Sequence, residues 1–127
     1  MKRSNRAGFT LVEVLTVIAI IALLASLILG LAGNAQKTAA RKKAEAEINQ
    51  IQGFITDYQM QYGRVPSEKA DLAVALTDAK HSLSNMVDPW GMDYNYRTSS
   101  AVTYYLWSQG GDLDGGNRDM WIGNPMP

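Results

Sequence analysis

The chain has 127 residues with 12 basic and 12 acidic side chains, so it carries no formal net charge, and that balance gives no electrostatic case for DNA or RNA as a partner. It contains no cysteine, which excludes a lipoprotein anchor, a disulfide framework and thiol catalysis. The length suits one membrane helix and one small soluble domain.

The chain opens on a short basic leader, Lys2, Arg3 and Arg6, which ends in the small pair Ala7-Gly8. An apolar run from Phe9 to Gly33 follows, 25 residues or about 37 Å as a helix, enough to cross a hydrocarbon core of about 30 Å. Glu13 stands inside it, where a carboxylate costs roughly 2.5–3.5 kcal/mol by insertion scales, so a chain that keeps one usually uses it. Two plainer readings compete. A secretory signal peptide has the same basic start, and Gly33-Asn34-Ala35 offers a small-x-small cleavage site, but the run exceeds the usual signal core of about 7–15 residues. A plain membrane anchor explains the length but neither Glu13 nor the Gly8-Phe9 junction. Lys37, Arg41, Lys42 and Lys43 oppose the leader across the span, so positive charge alone does not set orientation. They read as a collar at the lipid headgroups.

Helix formers continue beyond the span, and Ala44, Ile48, Ile51, Ile55, Tyr58 and Tyr62 recur at steps of three and four. That stripe predicts an amphipathic second half of one helix over residues 9–62, with a weak point at 30–34, stopped by Gly63 and Pro66. A short helix is expected over 67–79, with Ser67 as N-cap and Leu72, Ala75 and Leu76 facing inward. Asp88-Pro89-Trp90-Gly91 is a turn. Residues 93–98 and 102–107 read as an antiparallel hairpin. Tyr94, Tyr96 and Thr98 share one face, and Val102, Tyr104 and Leu106 share a face opposite Tyr105 and Trp107. The tail from Ser108 reads as a Gly/Asp loop that closes with a short strand near 120–122. The fold class is α+β, with a head over 63–127 so small that it needs some further tie to hold it.

The basic leader, Gly8, the run Phe9-Thr10-Leu11-Val12-Glu13 and an unbroken apolar helix together resemble the class III signal of the type IV pilin-like superfamily. The resemblance implies that a prepilin peptidase cuts between Gly8 and Phe9 and methylates the Phe9 amine. Residues 1–8 are then the leader, residues 9–33 the filament-core helix and residues 34–62 its amphipathic continuation. With nine basic and 12 acidic residues, the mature chain would stand at −3. The resemblance also implies a single-pass inner-membrane protein with its N-terminus in the cytoplasm and its head outside. Membrane lipid, an inner-membrane assembly platform, minor subunits and further copies of itself are the implied partners. In this reading the Glu13 carboxylate neutralises the Phe9 amine, on its own subunit or a neighbour, and fixes register during assembly. The plain alternative is an acid placed at the positive end of the helix dipole.

Asp88-Pro89-Trp90-Gly91, then Tyr94-Asn95-Tyr96-Arg97, Tyr105-Leu106-Trp107-Ser108-Gln109-Gly110-Gly111-Asp112, Asp119 and Ile122-Gly123-Asn124 are similar to the C-terminal half of the major pseudopilins of type II secretion. Asp112, Asp114 and Asp119 among glycines make an oxygen-rich loop suited to calcium, although not an EF-hand. The resemblance implies one Ca2+, with Asp112 and Asp119 as carboxylate ligands and Gln109 and Asp114 supplying backbone carbonyls. The family usually has a further aspartate two residues beyond the one matched by Asp119, and here that position is Trp121. A solvated Gly/Asp turn without metal is the plain alternative.

No catalytic set stands out. His81 is the only histidine and reads as a surface residue, and the aromatic residues of the C-terminal half read as core rather than as a carbohydrate platform. The chain is expected to be a structural subunit of a secretion pseudopilus that helps export folded proteins, not an enzyme. A type IV pilus or competence pseudopilus subunit, or an anchored binding domain that never polymerises, are the alternatives.

Overall fold

A computed structural model of the protein describes residues 8–123, 125 and 127. The leader residues 1–7 and Asn124 of the C-terminal motif lie outside the described residues. Helix α1 runs over Leu11–Tyr62 and helix α2 over Lys69–Asp78, followed by strands β1 (Asn95–Thr98) and β2 (Tyr104–Ser108). A 3-10 turn at Arg118–Met120 leads into β3 (Ile122–Gly123). The fold is therefore α+β. The chain falls into two compact units, Met1–Lys37 and Thr38–Pro127.

In the first unit the large apolar side chains from Leu11 to Leu31 are exposed, from 46% at Val14 to 77% at Leu11. This part of α1 is long and apolar enough to cross a membrane and buries nothing against its own chain, so its surface calls for lipid or other helices. The helix shows no break at Gly30 or Gly33.

The second unit is built on the amphipathic half of α1. Ala44, Ile48, Ile51 and Ile55 are at most 2% exposed and share one core with Leu72 and Leu76 of α2, Met86, Tyr94, Tyr96, Leu106 and Ile122. The stripe fades at its end, since Tyr58 is half-buried and Tyr62 is exposed. The sheet is antiparallel in the order β1-β2-β3, with Tyr96 opposite Leu106 and Ser108 opposite Ile122. The expected facing holds at Tyr94, Tyr96 and Leu106, which point inward. It fails at Val102, which lies outside the strand and is exposed.

Helix α1 starts at Leu11 where residue 9 was expected, β2 ends at Ser108 where 107 was, and β3 lies at Ile122–Gly123 where 120–122 was. Three other boundaries differ because of specific hydrogen bonds or pairings. Helix α2 begins at Lys69, and its N-cap is Glu68 with no side-chain cap, not Ser67. The preceding chain is held extended against the sheet instead. Val65 N–H donates to the Ala101 carbonyl at 2.9 Å, and the Pro66 and Ser67 carbonyls accept from Tyr96 Oη at 2.7 Å and Thr98 Oγ1 at 3.0 Å. Strand β2 begins at Tyr104 because the Ser99 and Ser100 amides both donate to the Thr103 carbonyl, which widens the hairpin loop. Strand β1 begins at Asn95, since Asp93 instead forms an isolated bridge to Val87 across the Asp88 turn. His81, expected at the surface, is half-buried with its ring edge-on to Phe54 at 5.8 Å and its Nδ1 accepting the Leu83 N–H at 3.1 Å.

Three tyrosines tie the layers together. Tyr94 Oη donates to Glu47 of α1 at 2.5 Å, and Tyr96 stacks on Tyr104 at 5.7 Å. Burial raises all three phenol pKa values above the ordinary 10; the Glu47 carboxylate adds to the shift of Tyr94, and neighbouring Tyr104, Tyr58 and Asp71 add to that of Tyr96. A raised acid pKa means that the folded chain keeps its protons longer than the unfolded one. The associated stability is complete below about pH 10 and is lost as pH rises beyond it. Urea unfolding at about pH 8 and about pH 11 should show a lower midpoint at the higher pH, with a smaller drop in Tyr96→Phe. An equal drop in that variant would contradict this account.

Candidate functional site

The N-terminal site follows from how the first turn of α1 is closed. Gly8, Phe9 and Thr10 are non-helical and exposed, and Phe9 is 89% exposed. The Thr10 carbonyl accepts the Val14 N–H at 3.2 Å, the first bond of the helix. Thr10 Oγ1 accepts the Glu13 N–H at 3.2 Å, while Glu13 Oε2 accepts the Thr10 N–H at 3.1 Å. This reciprocal pair is a capping box, which satisfies two amides that a helix start leaves free. The sequence carries its signature, a threonine followed three residues later by glutamate at the head of an apolar run. The arrangement leaves the Gly8-Phe9 peptide open on irregular backbone and holds a carboxylate one residue from the nitrogen of Phe9.

The C-terminal site is organised by Asp88. This residue is 4% exposed, yet both its carboxylate oxygens accept hydrogen bonds. Oδ1 accepts the Trp90 and Met92 amides at 3.0 and 2.8 Å, which closes the Asp88-Pro89-Trp90-Gly91 turn. Oδ2 accepts from Ser108 Oγ at 2.7 Å. Ser108, fully buried at the end of β2, in turn accepts the Gly110 N–H at 3.1 Å. One buried carboxylate thus couples the turn, the sheet and the entry to the Gly/Asp loop. A buried charge is tolerated when it is hydrogen-bonded in this way. The sequence marked these residues as a turn, and only the fold shows Ser108 converging on the same side chain.

The loop itself is wound by glycines in the left-handed region, Gly110 at φ 66°, Gly111 at 85° and Gly115 at 68°. Two of them also permit close approach. A Cβ on Gly110 would lie 1.9 Å from the Met120 carbonyl oxygen, and one on Gly111 would lie 2.8 Å from the Trp90 ring. The arm that carries Gln109 and Asp112 is therefore pressed against the arm that carries Asp119. Asp112 Oδ2 accepts the Asn117 N–H at 2.6 Å, and the Gln109 carbonyl accepts the Asp112 N–H at 3.2 Å. Asp114 and Asp119 are exposed. Among the described residues no group of three or more acidic or histidine side chains comes together. Asp112, Asp114 and Asp119 are therefore not gathered into such a group. Trp121, where a further carboxylate ligand was expected from the resemblance, stacks on Trp107 at 6.0 Å and 19°.

These features define a class of chain with an apolar helical segment long enough to cross a membrane, started by a capping box, and a small sheet domain packed on an amphipathic helical stretch. Two family models match the chain, the prokaryotic N-terminal methylation motif over residues 3–29 and type II secretion system protein G over residues 32–124. The chain belongs to the type II secretion system protein G family. It is 32% identical over 107 residues to the type II secretion system core protein G of Klebsiella michiganensis, covering 74% of this chain and 75% of that one. Its counterpart from Aeromonas hydrophila is 29% identical over 138 residues, covering 98% and 95%. The Pseudomonas aeruginosa protein is 26% identical over 139 residues, covering 98% of each. No solved structure matches the chain.

Removing the Asp88 carboxylate strands three donors. Asp88→Ala should cost about 2–4 kcal/mol in denaturant unfolding, with Asp88→Asn between it and the wild type. A loss under about 1 kcal/mol in Asp88→Ala would show that the corner is held by other contacts.

Proposed function

We propose that the chain is a precursor cut between Gly8 and Phe9 by a prepilin peptidase, methylated on Phe9 and assembled into a type II secretion pseudopilus that helps export folded proteins. Family membership and the methylation motif support this reading. The observation that carries it for this chain is the capping box, which holds the Glu13 carboxylate on the amide of Thr10, the residue next to Phe9, whose nitrogen cleavage would free. An ammonium and a carboxylate in an apolar setting attract strongly, and each lowers the cost of burying the other. The exposed apolar surface of residues 11–31 supplies the second requirement, since it can leave lipid only by packing against other stems. The subunit would insert with its N-terminus in the cytoplasm and its head outside, and would meet an inner-membrane assembly platform, minor pseudopilins and further copies of itself. No catalytic role is assigned to it. The test is Glu13→Ala in cells that carry the secretion system. It should leave membrane insertion unchanged and lower the subunit's recovery in sheared filaments by tenfold or more. Normal filament yield would overturn the assembly role.

The Gly/Asp loop is proposed to hold one Ca2+, with the carboxylates of Asp112 and Asp119 and the carbonyls of Gln109 and Asp114 as ligands. The wound glycines and the two facing arms support it. A bound ion would fasten residues 109–119 from outside the core. At free calcium about 100 times its dissociation constant the ion would add about 2.7 kcal/mol to stability, and Asp112→Asn with Asp119→Asn should abolish that gain in thermal unfolding. A calcium-induced shift that survives both substitutions would remove this ligand set.

A further inference from the structure

Strand β3 is two residues long, makes two pairings with β2 and follows a glycine-rich loop. So short an edge strand does not sustain itself. We propose that residues 118–123 are held by a metal-independent clamp centred on Trp121, so that the C-terminal edge of the head is folded whether or not calcium is bound. The proposal partly rests on the calcium reading above, because it limits what the ion controls.

The clamp has five parts, none of them a calcium ligand in that reading. From α1, Arg41 Nη1 donates to the Met120 carbonyl at 3.0 Å. The Trp121 ring stacks on Trp107 of β2. The Arg118 guanidinium lies 5.1 Å from the Trp121 ring centroid, a cation–π distance, and its Nη2 also donates to the Pro127 carbonyl. Ile122 is 6% exposed in the core. Gly123 fits where nothing larger can, since a Cβ there would lie 2.5 Å from the Leu106 carbonyl oxygen and 2.7 Å from Trp107 Cβ. The helix, the central strand and the chain end therefore converge on six residues. The calcium ligands proposed above fall in the preceding loop except Asp119, which lies within 118–123 but takes no part in the five contacts.

The indole nitrogens supply a discriminating feature. Trp107 Nε1 and Trp121 Nε1 are both buried without a hydrogen-bond partner among the described residues. A buried donor left unpaired is a liability. What selects tryptophan at position 121 in this account is the breadth of the ring and not its N–H. Phenylalanine at 121 should keep much of the stack and shed the unpaired donor, whereas alanine should release the edge.

The experiment is hydrogen exchange and thermal unfolding of the full chain in detergent micelles, with excess Ca2+ or excess EGTA. In the wild type, EGTA should leave the protection of residues 118–123 within about twofold, while any loss is confined to 109–117. A tenfold or greater loss in 118–123, in step with 109–117, would overturn the clamp. With Ca2+ present, Trp121→Ala should lose at least tenfold protection over 118–123 and lower the midpoint by about 5–10 °C, and Trp121→Phe should retain most of both. Unchanged protection in Trp121→Ala would also overturn it. If a variant fails to fold, the wild-type comparison decides alone. An EGTA effect absent from both segments would sink the calcium reading and leave the clamp standing.

Discussion

One helix has to satisfy two solvents, and that constraint shapes everything else in the chain. Residues 11–31 of α1 present apolar side chains on every side, while from Ala44 onward only one stripe is buried. The first half can be stable only in lipid or among like helices. The second half lends its stripe to a domain too small to build a large core alone. The Thr10-Glu13 box closes the first turn of the apolar half. The carboxylate that is expensive in a membrane is thus already engaged before any partner arrives.

The head meets its shortage of core with buried polar ties. Asp88 gathers three donors from two segments, Tyr94 bonds to Glu47 across the helix–sheet interface, and Tyr96 holds the Pro66 carbonyl. Such contacts are worth most where water is excluded and every partner is satisfied. They give the sheet its fixed relation to the second half of α1 and leave the Gly/Asp loop on the outside, wound by its glycines.

The long helix, the inward stripe and the hairpin were legible because each rests on a period that side-chain chemistry imposes. Ala44, Ile48, Ile51 and Ile55 declare a helix face, and Tyr94, Tyr96 and Leu106 a strand face, with no help from tertiary structure. The ends were not legible, because tertiary bonds set them. Ser67 has the chemistry of an N-cap, but Thr98 takes its carbonyl and the chain stays extended until Glu68. The convergence of Ser108 on Asp88, 20 residues apart, has no local signature. His81 looked like a solvent residue because its neighbours are polar, and nothing in its own segment announces Phe54. The capping box differs from these, because Thr10 and Glu13 carry its signature within four consecutive residues.

An exposed Gly8-Phe9 junction, a carboxylate held on the neighbouring Thr10 amide, an apolar stem and a head held by its own polar ties are the pieces on which the proposed function rests. All of it turns on whether the chain is cut before Phe9. The direct measurement is the intact mass and N-terminal sequence of the protein purified from native membranes. The account predicts a chain that begins at N-methylated Phe9. A chain that still begins at Met1 would make this an anchored domain that does not polymerise, and would contradict the account.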